Sequence, residues 1–174
     1  MFCAVDVHYE KGPSETARAA VVLFEAWTSA APCRERVVTL AKVEPYVPGE
    51  FFRRELPPIL SVLATLDSRP DVIVVDGYVW LDQAKRPGLG ARLYDALGGK
   101  AAVVGVAKTK FRGEPEAVPV ARGTGARPLF VSGVGVEMGD AYAGVRAMHG
   151  AHRIPTILQR VDHLARGLAR AASI

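Results

Sequence analysis

The stretch PDVIVVDG, residues 70–77, places four consecutive Val and Ile residues directly before an aspartate. A continuous apolar run of this kind, bounded by proline and glycine, is typical of a strand that is buried on both faces and has a parallel neighbour. The segment AAVVGVAK, residues 101–108, has the same character. These two segments therefore predict the parallel centre of a sheet.

Three apolar stretches precede this centre, and short linkers separate them. The stretches are approximately Phe2–Tyr9, Arg18–Trp27 and Arg36–Val43, joined by EKGPSET and SAAPCRE. Linkers of this length favour an antiparallel meander. The segment LFVSGVGVE, residues 129–137, is a candidate for a further strand.

Helical patterns occupy much of the remaining chain. They are FFRRELPPILSVLATLDSR, which either starts after Pro57 and Pro58 or kinks there, LGARLYDALGG, and the approximate ranges Asp140–His149 and Thr156–Ala172. The predicted fold is an α/β domain with a ribonuclease H-like mixed sheet, in which an antiparallel meander is followed by parallel strands and helices flank the sheet. A dinucleotide-binding fold is disfavoured because no glycine-rich turn follows the first strand. We expect residues 1–174 to form a single domain.

Composition excludes several classes of protein. Hydrophobic residues make up 49% of the chain, enough for a folded core, yet no apolar run is long enough to span a bilayer. The start, MFCAVDVHYE, does not have the pattern of a signal peptide. Cys3 and Cys33 lack the spacing of a zinc site or a redox pair, so we expect reduced thiols and a cytoplasmic location. The net charge of +4 is compatible with a phosphate-bearing partner without requiring one.

Two acidic residues interrupt apolar strands. Asp6 lies within CAVDVHY, and Asp76 ends VIVVDG. Either one alone is explained equally well as a strand-end cap or an ion-pair partner. On neighbouring strands about 4.8 Å apart, however, both carboxylates would reach one divalent ion. Together they indicate a metal site.

Three further residues are candidates on weaker grounds. Glu55 stands near the start of a predicted helix, where a glutamate is ordinary, and Lys108 follows the second buried strand, where a lysine is ordinarily solvated. Helical periodicity places His163 opposite the apolar positions of the last helix, on a face that is either solvated or functional. The loop PYVPGEFF, residues 45–52, is stiffened by two prolines; Tyr46 either packs inward or stacks on nucleobases.

Taken together, these segments resemble the endonuclease V family over nearly the whole chain. The resemblance rests on six segments in the family's order: VDVHY with Asp6, PYVPG with Tyr46, FRRE with Glu55, VVDG with Asp76, GVAK with Lys108 and RVDH with His163. The sequence departs from the family pattern at His8, where a small hydroxyl residue is usual, and at Tyr78, where histidine is usual. WLDQAKRPGLG, residues 80–90, also carries roughly one extra residue and lacks the family's histidine–proline pair.

The resemblance implies a role for each of these residues. Asp6, Glu55 and Asp76 would hold Mg²⁺, with Mn²⁺ as an alternative; His163 would lie beside a second metal position, and Lys108 would contact phosphate. The loop of Pro45, Tyr46, Val47, Pro48 and Gly49 would contact the substrate, its first four residues as a wedge that fills the gap left by an extracted base. Gly77, Gly88 and Leu89 would line the pocket for that base.

The implied activity is that of a metal-dependent endonuclease. It would nick inosine-containing DNA or RNA one nucleotide to the 3′ side of the deaminated purine, leaving 3′-hydroxyl and 5′-phosphate ends. Two alternatives remain open: a ribonuclease H-like nuclease of different nucleic-acid specificity, and a nucleic-acid-binding homologue that does not cleave. Retention of several unpaired acids disfavours the second, because buried carboxylates without a cation are costly.

Overall fold

The computed structural model describes residues 1–10, 16–41, 43, 51–113, 115–125 and 127–172. The strands are β1 (Phe2–Glu10), β2 (Thr16–Phe24), β3 (Arg34–Leu40), β4 (Val72–Asp76), β5 (Ala102–Ala107), β6 (Val118–Val120) and β7 (Leu129–Val134). The helices are α1 (Phe51–Leu63), α2 (Leu89–Ala96), α3 (Met138–Ala147) and α4 (Thr156–Ala165). None of the helices in the described part of the chain combines the length and the apolar character that a bilayer crossing requires.

The strands form one mixed sheet in the order β3-β2-β1-β4-β5-β7-β6. The first three strands are an antiparallel meander, and β4 pairs in parallel with both β1 and β5. Beyond β5 the sheet turns antiparallel again through β7 and β6. The prediction of a ribonuclease H-like mixed sheet is therefore confirmed.

Helices cover both faces of the sheet, so its central strands are buried on both sides. Alternate residues of β1 show this: Ala4 packs in one cluster with residues of α3 and α4, whereas Cys3 and Val5 pack in the other with residues of α1 and α2. Val74 lies on the α4 face and Val75 on the opposite one. Because side chains alternate along a strand, Asp6 and Asp76 lie on the face that α4 covers.

Helix α1 runs through both of its prolines and does not begin after them. Pro58 has no N–H to give to the main-chain oxygen of Arg54 one turn earlier. The hydroxyl of Tyr9 in β1 donates a hydrogen bond to that oxygen instead, at 2.8 Å. The helix therefore continues across the prolines because a neighbouring strand supplies the missing donor.

Helix α4 ends at Ala165, well before the predicted end at Ala172. Gly167 follows with φ +70°, a left-handed conformation that stops the helix, and Leu168 is 71% exposed instead of joining the apolar face. The short edge strand β6 was not predicted at all, because Pro119 at its centre is tolerated only at the edge of a sheet.

Candidate active site

Asp6 and Asp76 lie side by side at one edge of the sheet. The last paired residues of β1 and β4 are Val5 and Val75, and each aspartate directly follows its member of that pair. Both aspartates project toward α4, as the alternation along the strands requires. One oxygen of Asp6 accepts a hydrogen bond from the main-chain N–H of Val7 at 2.9 Å. The predicted meeting of these two acids is therefore present.

Glu55 reaches the same place from the opposite face of the sheet. It lies in the second turn of α1 and is only 7% exposed. Its pKa is raised to about 8, chiefly by burial; the charges of Asp6 and Asp76 contribute to the rise, and a hydrogen bond from Tyr9 opposes it. A carboxylate whose pKa responds to both aspartates belongs to the same electrostatic cluster.

The pKa of Asp6 is raised as well, from its ordinary 3.8 to about 7. Burial is the largest cause, followed by the negative charge of Asp76; Asp162 adds to the rise and Lys108 reduces it. Crowded carboxylates that resist ionisation are the arrangement that a bound cation relieves, because its charge cancels their repulsion.

Lys108 leaves the end of β5 and enters the cluster. Its Nζ donates a hydrogen bond to Asp76 Oδ2 at 2.6 Å. Burial lowers the pKa of this lysine, but the hydrogen bond to Asp76 and the surrounding negative charge outweigh that effect, so the pKa is raised overall. Lys108 is therefore a permanent cation beside the acids.

From α4 the structure presents Asp162 to the acids. Leu158, Asp162 and Arg166 are spaced by four residues along one face of the helix, and Asp162 and Arg166 line the cleft together. Arg166 Nε donates a hydrogen bond to Asp162 Oδ1 at 2.9 Å. His163 is half-buried and is not among the residues that line the cleft. In the sequence, Asp162 is distinguished only by its spacing of four residues from Leu158. The helical periodicity that placed His163 was not applied to that spacing.

The cluster opens into a cleft of about 480 Å³. Its lining residues are Asp6, Val7, His8, Glu55, Asp76, Gly77, Tyr78, Ala107, Lys108, Thr109, Phe111, Asp162 and Arg166. Among the residues that the structure describes, no three His, Cys, Asp or Glu side chains already form a complete metal-ligand set. Asp76 and Asp162 are instead paired with Lys108 and Arg166.

The donor set nonetheless fits a hard divalent cation. The four acids supply only carboxylate oxygens, the ligands that Mg²⁺, Mn²⁺ and Ca²⁺ prefer. Cys3 is buried in the core and Cys33 is exposed; neither lines the cleft, so the site lacks the thiolates of a zinc centre.

A second cavity, of about 710 Å³, adjoins the cleft and contains the predicted base-pocket residues Gly77, Gly88 and Leu89. Asp76, Gly77, Tyr78 and Phe111 line both spaces. The glycines are required here: Gly77 has φ +141°, and a Cβ on Gly88 would lie 2.5 Å from the main-chain oxygen of Tyr78.

The wall between the two spaces is fixed by Tyr78. Its hydroxyl donates to the main-chain oxygen of Thr109 at 2.8 Å and accepts from the N–H of Phe111 at 3.2 Å. The rings of Tyr78 and Phe111 lie 6.1 Å apart in a tilted arrangement. Tyr78 thereby fastens the end of β4 to the loop after Lys108.

The predicted wedge residues Pro45, Tyr46, Val47, Pro48 and Gly49 lie outside the described residues. Their assignment stays a prediction.

Comparison with known proteins decides the family. The sequence model of the family described as Endonuclease V matches residues 1–125. The Endonuclease V of Streptomyces coelicolor is 33% identical over 189 residues, an alignment that covers 97% of this chain and 79% of that protein. The chain belongs to the Endonuclease V family.

Solved structures agree with the family in sequence and in fold. The crystal structure of the Endonuclease V from Streptomyces avermitilis shares 30% identity and a TM-score of 0.74, covering 96% of this chain and 80% of its own. The Ciona intestinalis Endonuclease V, solved with a 24mer DNA containing an inosine followed by a ribo-adenosine, has a TM-score of 0.81 at 19% identity and covers 96% and 84%. At that identity the second comparison shows the fold alone.

Membership confirms the resemblance that the sequence motifs indicated. As a member of the Endonuclease V family the chain is a nuclease, and the family implies a divalent metal cofactor.

Proposed function

We propose that this chain nicks a nucleic-acid strand one nucleotide to the 3′ side of a deaminated purine such as inosine. The observation that carries the proposal is the convergence of four carboxylates and Lys108 in one cleft, directly beside a glycine-lined cavity. The inosine-containing DNA bound by the Ciona intestinalis protein supports this choice of lesion.

Asp6, Glu55 and Asp76 would hold the metal ion, and the position of Asp162 makes it a fourth ligand candidate. We propose Mg²⁺, with Mn²⁺ as an alternative, because both favour carboxylate oxygens. A divalent ion at such a site supplies a water of lowered pKa and neutralises charge on the phosphate. The role of His163 beside a second metal position, which the resemblance implies, stays a prediction.

Lys108 would act on the scissile phosphate. Its Nζ already lies at the acids, 2.6 Å from Asp76, where it would donate to a phosphoryl oxygen and stabilise charge that develops during attack. Water adds to phosphorus and the bond from phosphorus to O3′ breaks. The products are a 3′-hydroxyl and a 5′-phosphate end, and no covalent bond to the protein forms.

The second cavity would receive the extracted base. Gly77 and Gly88 carry no side chains, so main-chain groups there can approach a flat purine closely, and Leu89 lines the same space. The loop of Pro45 to Gly49 would contact the duplex, with Tyr46 in the vacated position of the stack. His8 and Tyr78, where the sequence departs from the family pattern, both line the cleft. We therefore propose that these two residues set the range of lesions that this chain cleaves.

A strand-nicking assay tests the proposal directly. Single-stranded and duplex DNA, and an RNA of the same sequence, each carry one inosine or one adenine and are incubated with Mg²⁺ or with EDTA. We expect Mg²⁺-dependent cleavage of the inosine strands at one position. Equal cleavage of the adenine strands would indicate a nuclease of different specificity. Binding without cleavage would indicate a non-cleaving homologue.

We also propose that residues 1–174 act as a single nuclease domain located in the cytoplasm. One sheet supports both hydrophobic clusters, and Cys33 is an exposed free thiol, which suits a reducing compartment.

A further inference from the structure

Two of the four carboxylates in the cleft are each held by a basic side chain. Lys108 pairs with Asp76 at 2.6 Å, and Arg166 pairs with Asp162 at 2.9 Å. Lys108 has a role in the proposed reaction. Arg166 has none, although it lines the same cleft and half of its side chain is exposed.

The backbone beneath Arg166 is held in place. Arg166 directly follows α4, and Arg18 of β2 donates from Nε to the main-chain oxygen of Leu164 at 3.0 Å. Gly167, with φ +70°, then turns the chain away. The backbone that carries Arg166 is therefore held beside the cleft that the side chain lines.

Arg166 shares the cleft with more than one acid. It is hydrogen-bonded to Asp162 at 2.9 Å and lines the same cleft as Asp6 and Asp76. Arg166 is therefore placed as a counter-charge to the site as well as a partner of one residue.

A divalent cation bound by Asp162 would compete with Arg166 for the same carboxylate. When Asp162 oxygen atoms turn to a cation, the guanidinium loses its partner but keeps its position at the rim. A planar guanidinium is well suited to phosphate, which it binds through two parallel N–H donors.

We propose that Arg166 is a phosphate-binding residue for the nucleic-acid strand, and that it becomes available only when a divalent cation takes over Asp162. This inference rests on the proposed assignment of the acids as metal ligands. It places a second basic side chain in the cleft that Lys108 lines, and couples substrate affinity to metal occupancy.

The test measures strand binding by wild type and Arg166→Ala, in EDTA and in Ca²⁺, which also prefers oxygen ligands. The probes are a single-stranded oligonucleotide with one inosine and the same strand with adenine. In EDTA the two proteins should bind the strand equally, because Arg166 remains hydrogen-bonded to Asp162. In Ca²⁺ the variant should bind about 10-fold more weakly, the scale of one charge-assisted hydrogen bond. The slope of log affinity against log salt should also fall by about 0.7.

A second measurement is the calorimetric titration of each protein with Mn²⁺ in the absence of nucleic acid. Removal of the competing guanidinium should tighten Mn²⁺ binding about threefold, within the range of a half-exposed ion pair. Arg166→Lys should recover part of the strand binding in Ca²⁺. The matched control is Arg34→Ala, because Arg34 forms an exposed pair with Asp67 at the start of β3, away from the cleft.

Several results would overturn the inference. An equal loss of strand binding in EDTA and in Ca²⁺ would make Arg166 an ordinary surface contact. Weaker Mn²⁺ binding would mean that it positions Asp162, and unchanged binding in Ca²⁺ would remove it from the substrate site. The inference would also be contradicted if Ca²⁺ did not raise the affinity of wild type for the strand. Equal affinity of wild type for inosine and adenine strands would instead contradict the proposed lesion specificity. The comparison of wild type with the Arg166 variants would still test the role of Arg166.

Discussion

The hydroxyl of Tyr9 lies 2.8 Å from the main-chain oxygen of Arg54 and donates a hydrogen bond to it. The guanidinium of Arg54 in turn lies 4.0 Å from the centre of the Tyr9 ring. This double contact joins β1, which carries Asp6, to the turn of α1 that carries Glu55. Tyr9 therefore fixes the distance between two of the proposed metal ligands.

Replacement of Tyr9 by Phe should lower both stability and metal affinity. The oxygen of Arg54 would lose its donor, which costs about 1–3 kcal/mol of unfolding free energy when the group is buried. The pKa of Glu55 should rise further, since Tyr9 now lowers it. Urea unfolding and Mn²⁺ calorimetry measure the two effects. Tyr94→Phe is the control, because Tyr94 lies in α2 and lines neither cavity; similar losses in both variants would contradict a special role for Tyr9.

Replacement of Asp76 by Asn should separate cleavage from binding. The substitution keeps the shape of the side chain and removes a charge that holds the cation, at a cost of several kcal/mol in the transition state. Cleavage of an inosine strand should fall by about 100-fold or more, while binding to that strand in EDTA, where neither protein holds a cation, changes little. Asp71→Asn is the matched control, because Asp71 is an exposed aspartate just before the start of the same strand. Wild-type cleavage by Asp76→Asn would remove Asp76 from the site.

Stability of the metal-free protein should fall as pH rises. The folded-state pKa values of Asp6 and Glu55 are about 7 and about 8, raised first by burial. Between the unfolded and the folded pKa values, the folded chain therefore holds protons that the unfolded chain has released. The stabilisation that results is complete below the unfolded pKa values of about 4. It is lost as pH rises through 7 and then 8.

Thermal unfolding without metal should show that loss between about pH 5 and pH 8. Added Mg²⁺ should raise the melting temperature more at the upper end of this range, because binding there displaces fewer protons. The double variant Asp6→Asn, Glu55→Gln should lose most of both effects. A metal-induced shift that is the same at every pH would contradict the coupling.

Replacement of Tyr46 by Ala should weaken binding to inosine-containing duplex by roughly 5- to 150-fold, as an aromatic–base contact is worth ~1–3 kcal/mol. Discrimination against undamaged duplex should fall with it, because the contact forms only after the base has left. Tyr46→Phe keeps the ring and should retain both properties. Equal loss on every substrate together with a lower melting temperature would mean that Tyr46 packs inward.

The sequence predicts the sheet and its two central acids for a physical reason. Strands buried on both faces admit few ionisable residues, so Asp6 and Asp76 were conspicuous, and the alternation along the strands set the face on which they lie. Glu55 carried no such signal, because a glutamate on a helix is ordinary, and its place was foreseen only through the family resemblance.

The place of Asp162 in the cleft was not predicted, for a different reason. The face that a helix presents depends on its rotation about its own axis, and the apolar positions of α4 defined that rotation poorly. Leu168, an apolar residue within the predicted helix Thr156–Ala172, lies beyond the end of α4 and is exposed. The role of His163 beside a second metal position stays a prediction. The length of α1 was uncertain for a related reason, because the donor that compensates Pro58 comes from distant Tyr9.

The parallel pairing of β1 with β4, and the docking of α4 onto β1, have a consequence for the chain during its synthesis. Asp162 lies far after Asp6 in the sequence, so the two carboxylates can meet only after Asp162 has been made. Pairings between segments this distant in sequence form late, since their loop-closure entropy must be overcome first. The four-carboxylate cleft is therefore completed late in folding, and a partly made chain that lacks Asp162 has only three of its acids.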